Sequence, residues 1–116
     1  MKKVLLMLLL FLGSHCLAQT TYSCLGTVDK IRLGADATII LYSKDIYGDN
    51  SPRRICSLNE AWGNITVENC KAWYSMLLAA HSTKKELAIE YHDTVGSCEN
   101  QPTWSSSNQP WALRLQ

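Results

Sequence analysis

The absences in this 116-residue sequence narrow the field first. It has no CxxC pair and no Cys/His cluster at zinc-ligand spacing, so neither a metal nor another cofactor is expected. No nucleophile-elbow motif surrounds any serine. No sign of charge dominates: the formal charge is +1, and removal of residues 1–18 takes eleven basic residues to nine against ten acidic ones, giving −1. That balance leaves no electrostatic footprint for nucleic acid. No second long apolar run follows the first, so no membrane span is expected in the mature chain. No repeat and no second domain is visible.

The one long apolar run is N-terminal and has the form of an export signal. Lys2 and Lys3 precede "VLLMLLLFLG", too short to cross a bilayer comfortably, and "SHCLA" ends on the small residue Ala18. Cleavage before Gln19 predicts a signal peptide over 1–18 and a secreted or periplasmic single domain over 19–116. Cys16 leaves with the signal. Cys24, Cys56, Cys70 and Cys98 remain, and four cysteines in a small exported domain read as two disulfides.

The mature sequence reads as mainly β with one helix. "YSCLGTVDKIRL" alternates around Val28 and Ile31 as a first strand, with Gly26 as a bend; "ATIILYS" is a second, rich in β-branched residues; "RRICSLN" is a third. Between the second and third, "KDIYGDNSP" has loop composition. A helix is predicted over Val67 to Ser82, capped by Thr66, with Glu68 in its first turn and Lys84 and Lys85 near its end. "ELAIEYHD" is the fourth strand and "PWALRLQ" the last, with Trp111, Leu113 and Leu115 on one face.

Five strands with one helix between the third and fourth is the order of the OB-fold, a Greek-key barrel. In that topology the start of the first strand lies beside the end of the fourth. This brings Cys24 to Cys98 and leaves Cys56 to Cys70, which staples the helix to the strand that delivers it.

"CLGTV", "ICSLN", "CKAWYSMLLAA" and "KKELAIEY" resemble small exported bacterial proteins related to the B subunit of subtilase cytotoxin and similar toxin B subunits. The resemblance implies an OB-fold pentamer that binds sialylated glycans beside a catalytic toxin subunit. At the position of a ligand-contacting serine in that family this chain has Leu25, which neither donates nor accepts a hydrogen bond.

Candidate residues follow from chemistry. Trp62, Trp104 and Trp111 with Tyr22, Tyr42 and Tyr47 form a generous aromatic set beside a single Phe. Trp62, Trp104 and Tyr47 fall in loops and are the expected ligand contacts; Trp73 and Trp111 are expected in the core. His81 and His92 with Lys84 or Lys85 are the residue types of a small nuclease. They are read instead as one packed and one solvated histidine, and the chain as not an enzyme. "PRR" and "TKK" read as solvated surface. Stepping the helix by 100° places Met76, Ala80, Trp73, Leu77, Cys70, His81, Tyr74 and Leu78 on an inner arc. The outer positions Ala72, Ser75 and Ala79 are small, as at a subunit contact of a homo-oligomer. The expected function is an exported binding module for a glycan. The alternative is a secreted or periplasmic protein that binds or inhibits a partner protein such as a hydrolase.

Overall fold

The structure is a computed structural model that describes residues 20–116; the predicted signal peptide and its cleavage site lie outside the described residues. The elements are β1 (Thr20–Gly26), β2 (Lys30–Leu33), β3 (Thr38–Tyr42), α1 (Lys44–Tyr47), β4 (Arg53–Ser57), α2 (Val67–Thr83), β5 (Leu87–Asp93) and β6 (Pro110–Leu115). They form two antiparallel three-stranded sheets, β1-β5-β6 and β2-β3-β4. Among the described residues no helix is long and apolar enough to cross a membrane.

The predicted mainly β chain with one main helix and two disulfides is observed. The strand count is corrected from five to six, and the two sheets do not close into a barrel. The expected first strand breaks at Thr27–Asp29 because its polar groups turn to α1. Thr27 N–H donates to Asp45 Oδ2 at 2.8 Å, Ser43 Oγ donates to the Thr27 carbonyl at 2.6 Å, and Lys44 N–H donates to Asp29 Oδ2 at 2.9 Å. Gly26 makes this possible, since a Cβ there would lie 2.7 Å from Asp45 Oδ2. The first half of the ribbon pairs with β5 and the second with β3. Between β4 and the segment leading into β6, strand pairing among the described residues is limited to an isolated parallel bridge, Arg53 to Trp104.

The segment predicted as a loop at 44–52 contains α1. Ser43 caps it, accepting from Ile46 N–H at 3.0 Å, and Gly48 ends it at φ 83°. This turn buries Ile46 and Tyr47, so Tyr47 is corrected from a ligand contact to a core residue.

α2 matches its predicted span to within a residue, with Thr66 accepting from Asn69 N–H at 3.1 Å and Lys84 ending it in the left-handed conformation. Its buried face is narrower than the predicted arc. Cys70, Leu77 and Ala80 are buried, Trp73, Tyr74 and Met76 are half-buried, and Leu78 and His81 are exposed. Both His81 and His92 are therefore at the surface. The helix packs on a core that includes Ile39, Leu41, Ile55, Leu87 and Ile89. Cys24–Cys98 ties β1 to the loop after β5, and Cys56–Cys70 ties β4 to the first turn of α2; both pairs have Cα atoms 5.6 Å apart.

Trp111 is corrected from core to surface: it is 61% exposed, while Pro110 and Leu113 are buried. Glu90 pairs with Ala112 and Tyr91 with Pro110, so Trp111 is the extra residue of a β-bulge. A bulge resets the inside–outside alternation of a strand and re-aims one side chain. "PRR" is likewise corrected in part, since Arg53 is only 2% exposed.

Candidate functional site

A cleft of about 360 Å³ opens where the start of α2, the end of β5 and the start of β6 meet. The turn before α2 supplies Asn64. Trp62 and Ile65 exchange two backbone hydrogen bonds of 3.0 Å across this turn, which Gly63 negotiates at φ 59°. The Gln109 side chain lies directly against Gly63, in the space a Cβ would occupy. The first two turns of α2 supply Asn69 and Trp73, four residues apart and so on one face. β5 supplies His92, whose Nδ1 is 2.6 Å from Thr21 Oγ1. The β6 bulge supplies Trp111, its ring centroid 5.5 Å from that of His92.

Two features set the chemistry of this cleft. The side-chain amides of Asn64, Asn69 and Gln109 make no hydrogen bond among the described residues, so three donor–acceptor groups stand uncommitted around two indole rings. No Asp, Glu, Lys or Arg lines it. Amides pair with vicinal hydroxyls as donor and acceptor at once, and indole faces pack on C–H surfaces. A neutral, polyhydroxylated ligand fits this lining, and the volume lies within the ~300–1,000 Å³ range of small-molecule sites.

The cleft is held in place by a buried polar network under the loop 94–109. Arg53 lies over the Tyr47 ring at 4.6 Å, donates to the carbonyls of Gln101 and Ser51 at 3.0 Å each, and pairs with Asp49. Gln101 Nε2 donates to Tyr22 Oη and to the Ser97 carbonyl, and Gln101 Oε1 accepts from Asn108 at 3.3 Å. Tyr22 Oη donates to Asp93 at 2.7 Å, and the Tyr47 and Tyr91 hydroxyls share a 2.7 Å hydrogen bond. Ser107 Oγ accepts from Arg54 N–H at 3.0 Å and donates to the Trp104 carbonyl at 2.6 Å. The loop is thereby pinned up to Asn108, next to the Gln109 and Trp111 that enter the cleft.

Burial raises the Tyr22, Tyr47 and Tyr91 phenols above their ordinary value, with the Asp93 carboxylate adding to Tyr22 and the neighbouring Tyr47 to Tyr91. A hydrogen bond from Arg53 holds Asp49 below the usual carboxylate range. Raised phenol values mean that the folded chain keeps protons that the unfolded chain loses. Their contribution is complete below the unfolded phenol value of ~10 and declines as pH rises above it. Phenolate absorbance followed with circular dichroism should therefore show Tyr22, Tyr47 and Tyr91 ionising only as the chain unfolds in alkali. Ionisation of all five tyrosines in a still-folded chain would contradict the network.

The sequence-predicted site residues are not brought together. Trp62 is half-buried beneath Arg54, at 4.3 Å. Trp104 is 50% exposed and lines a different cleft with Arg32. Tyr47 belongs to the buried network. His81 and His92 line separate clefts. Ala72 and Ser75 are exposed on the outer face of α2 and Ala79 is half-buried there. Sequence reasoning missed Asn64, Asn69 and Gln109, placed Trp73 and Trp111 in the core, and read His92 only as one of a packed and solvated pair of histidines. The available signals were the asparagines flanking the Thr66 cap and the Gln-Pro-Trp run entering the last strand. Compared with protein families, curated proteins and solved structures, the chain shows no match.

Proposed function

We propose that the chain is an exported, non-enzymatic binding module that takes a neutral glycan in the cleft between α2, β5 and β6. The observation that carries this reading is the trio of uncommitted amides, Asn64, Asn69 and Gln109, around Trp73 and the outward-turned Trp111 in a cleft without charged side chains. Trp111 offers this cleft a large apolar ring, 61% exposed and 5.5 Å from the His92 ring, of the kind that packs on sugar C–H surfaces. Glycan-array binding by the wild-type chain is the test. Trp111→Ala should lower affinity by roughly 30-fold, as for a ~2 kcal/mol hot spot, with the thermal unfolding midpoint unchanged. Absence of binding to any glycan by the folded protein would refute the proposal.

Within this reading the fold is an OB-fold barrel opened along the seam between β4 and β6. What supports it is the order β4-β3-β2 followed by β1-β5-β6, with α2 between β4 and β5. The resemblance to toxin B subunits belongs to the same proposal, and a catalytic subunit would be the partner. Leu25, 48% exposed on β1, lies outside the cleft, so the proposed ligand contact differs from the serine position of that family.

The oligomer is a further part of this proposal. Ala72, Ser75 and the 44%-exposed Leu78 lie on the outer face of α2. Small residues there allow close approach of a second copy, in a cyclic homo-oligomer that the resemblance sets at a pentamer. Light scattering coupled to size exclusion should give an oligomer for the wild type and a monomer for Ser75→Glu. A wild-type monomer at tens of micromolar protein would end the oligomer reading.

A further inference from the structure

The outer surface of the β2-β3-β4 sheet carries two arginines, Arg32 and Arg54, in no ion pair among the described residues. Arg32 on β2 pairs across to Ile40 on β3, which pairs on to Arg54 on β4, so the three residues form one row. Strands lie about 4.8 Å apart, which puts the two arginine backbones about 10 Å apart. Neither guanidinium forms an ion pair or donates a hydrogen bond among the described residues, and the buried Nε of Arg54 has no partner. Each is stacked on an indole instead: Arg32 lies 5.8 Å from the Trp104 centroid, and Arg54 lies 4.3 Å from that of Trp62. A guanidinium stacked on a ring keeps its in-plane N–H donors at its edge, suited to paired anionic oxygens.

Trp104 is fixed in position. It adopts φ 53°, a conformation a bulky residue holds only when its surroundings impose it. Its N–H donates to the Pro52 carbonyl at 3.1 Å, its carbonyl accepts from Ser107, and half its surface stays open to solvent. Arg32, Arg54, Trp104, Thr38 and Ser105 line a cleft of about 260 Å³. Asp36 stands there too; it accepts from Thr38 N–H at 3.1 Å and is attracted to Arg54, and its single negative charge leaves one guanidinium in excess.

We propose that this cleft binds an acidic sugar residue, with its carboxylate or sulfate taken by Arg32 and Arg54 and its ring packed on Trp104. The volume is below the ~300 Å³ floor of drug-sized sites, which suits one saccharide unit. A rigid exposed indole suits the flat C–H face of a pyranose, and an acidic side chain of a peptide would leave that ring unused. This site is separate from the neutral cleft at Trp111, and the two are tested independently.

The test is NMR titration at low ionic strength, reading the Trp104 indole N–H and the Arg32 and Arg54 Nε–H signals. The probes are a hyaluronan tetrasaccharide, which carries carboxylates only, a chondroitin sulfate tetrasaccharide, neutral maltotetraose and tetraglutamate. One or both acidic saccharides should shift these signals, the comparison between them naming the preferred anion, and maltotetraose should not. Arg32→Gln and Arg54→Gln should each weaken acidic-saccharide binding at least about tenfold, as loss of a charge-assisted contact requires. Trp111→Ala should change it less than about twofold, since Trp111 lines a different cleft. Signals unmoved by both acidic saccharides, or full affinity in both arginine variants, would overturn the proposal. Binding of tetraglutamate as tight as that of the saccharides would overturn it in favour of an acidic peptide.

Discussion

Arg53→Ala should lower the stability of the chain by about 3–5 kcal/mol, the range of changes that strip a buried hydrogen-bonded network and leave a cavity. The Arg53 side chain is only 2% exposed, and its removal leaves the Gln101 and Ser51 carbonyls without their donor. It also leaves the Tyr47 ring without the guanidinium packed 4.6 Å above it. Arg53→Lys should recover only part of the loss, because an ammonium cannot reproduce a planar fork that reaches two carbonyls and Asp49 together. Chemical denaturation of the three proteins is the measurement. Because Gln101 belongs to the loop that leads to Gln109 and Trp111, both variants should also weaken glycan binding without touching the cleft. An Arg53→Ala protein as stable as wild type would show that the network does not hold the loop.

Loss of the Cys24–Cys98 bridge should cost more than loss of Cys56–Cys70. The first closes a loop of 74 residues and the second one of 14. The chain-entropy relation gives about 4.4 and about 3 kcal/mol, which for a domain of this size lowers the melting midpoint by roughly 10–30 °C. Cys24→Ala/Cys98→Ala against Cys56→Ala/Cys70→Ala, compared by thermal unfolding, tests the order. The long-range bridge also fastens the loop after β5 to β1, so its loss should disturb the glycan cleft, whereas the shorter bridge anchors only the first turn of α2 to β4. The reverse order of stability would mean that the loop 94–109 is held without its disulfide.

Local chemistry was legible in the sequence where short-range signals decide structure. α2 follows from Thr66, Glu68 and the apolar spacing behind them, and the cysteine pairs follow from strand order. The illegible parts depend on contacts distant in sequence. The first strand breaks because Asp45 and Ser43, some sixteen to eighteen residues away, take the hydrogen bonds of Thr27. Trp111 turns outward because β6 bulges against Glu90 and Tyr91. Arg53 and Arg54 are adjacent and identical in type, yet the first is buried in a tyrosine network and the second faces a cleft. Strand alternation separates them once the sheet exists, and composition cannot. The candidate site escaped for the same reason: its aromatic and amide residues come from four separate segments and carry no common spacing.

The central claim is that a neutral glycan sits between Trp73 and Trp111. The chain has four tryptophans, at 62, 73, 104 and 111, so each indole N–H is a separate reporter. Titration with a neutral oligosaccharide selected on the array should move the Trp73 and Trp111 signals together and leave Trp62 and Trp104 in place. Movement of Trp104 with Trp111 unmoved would contradict the account and return the site to the opposite sheet.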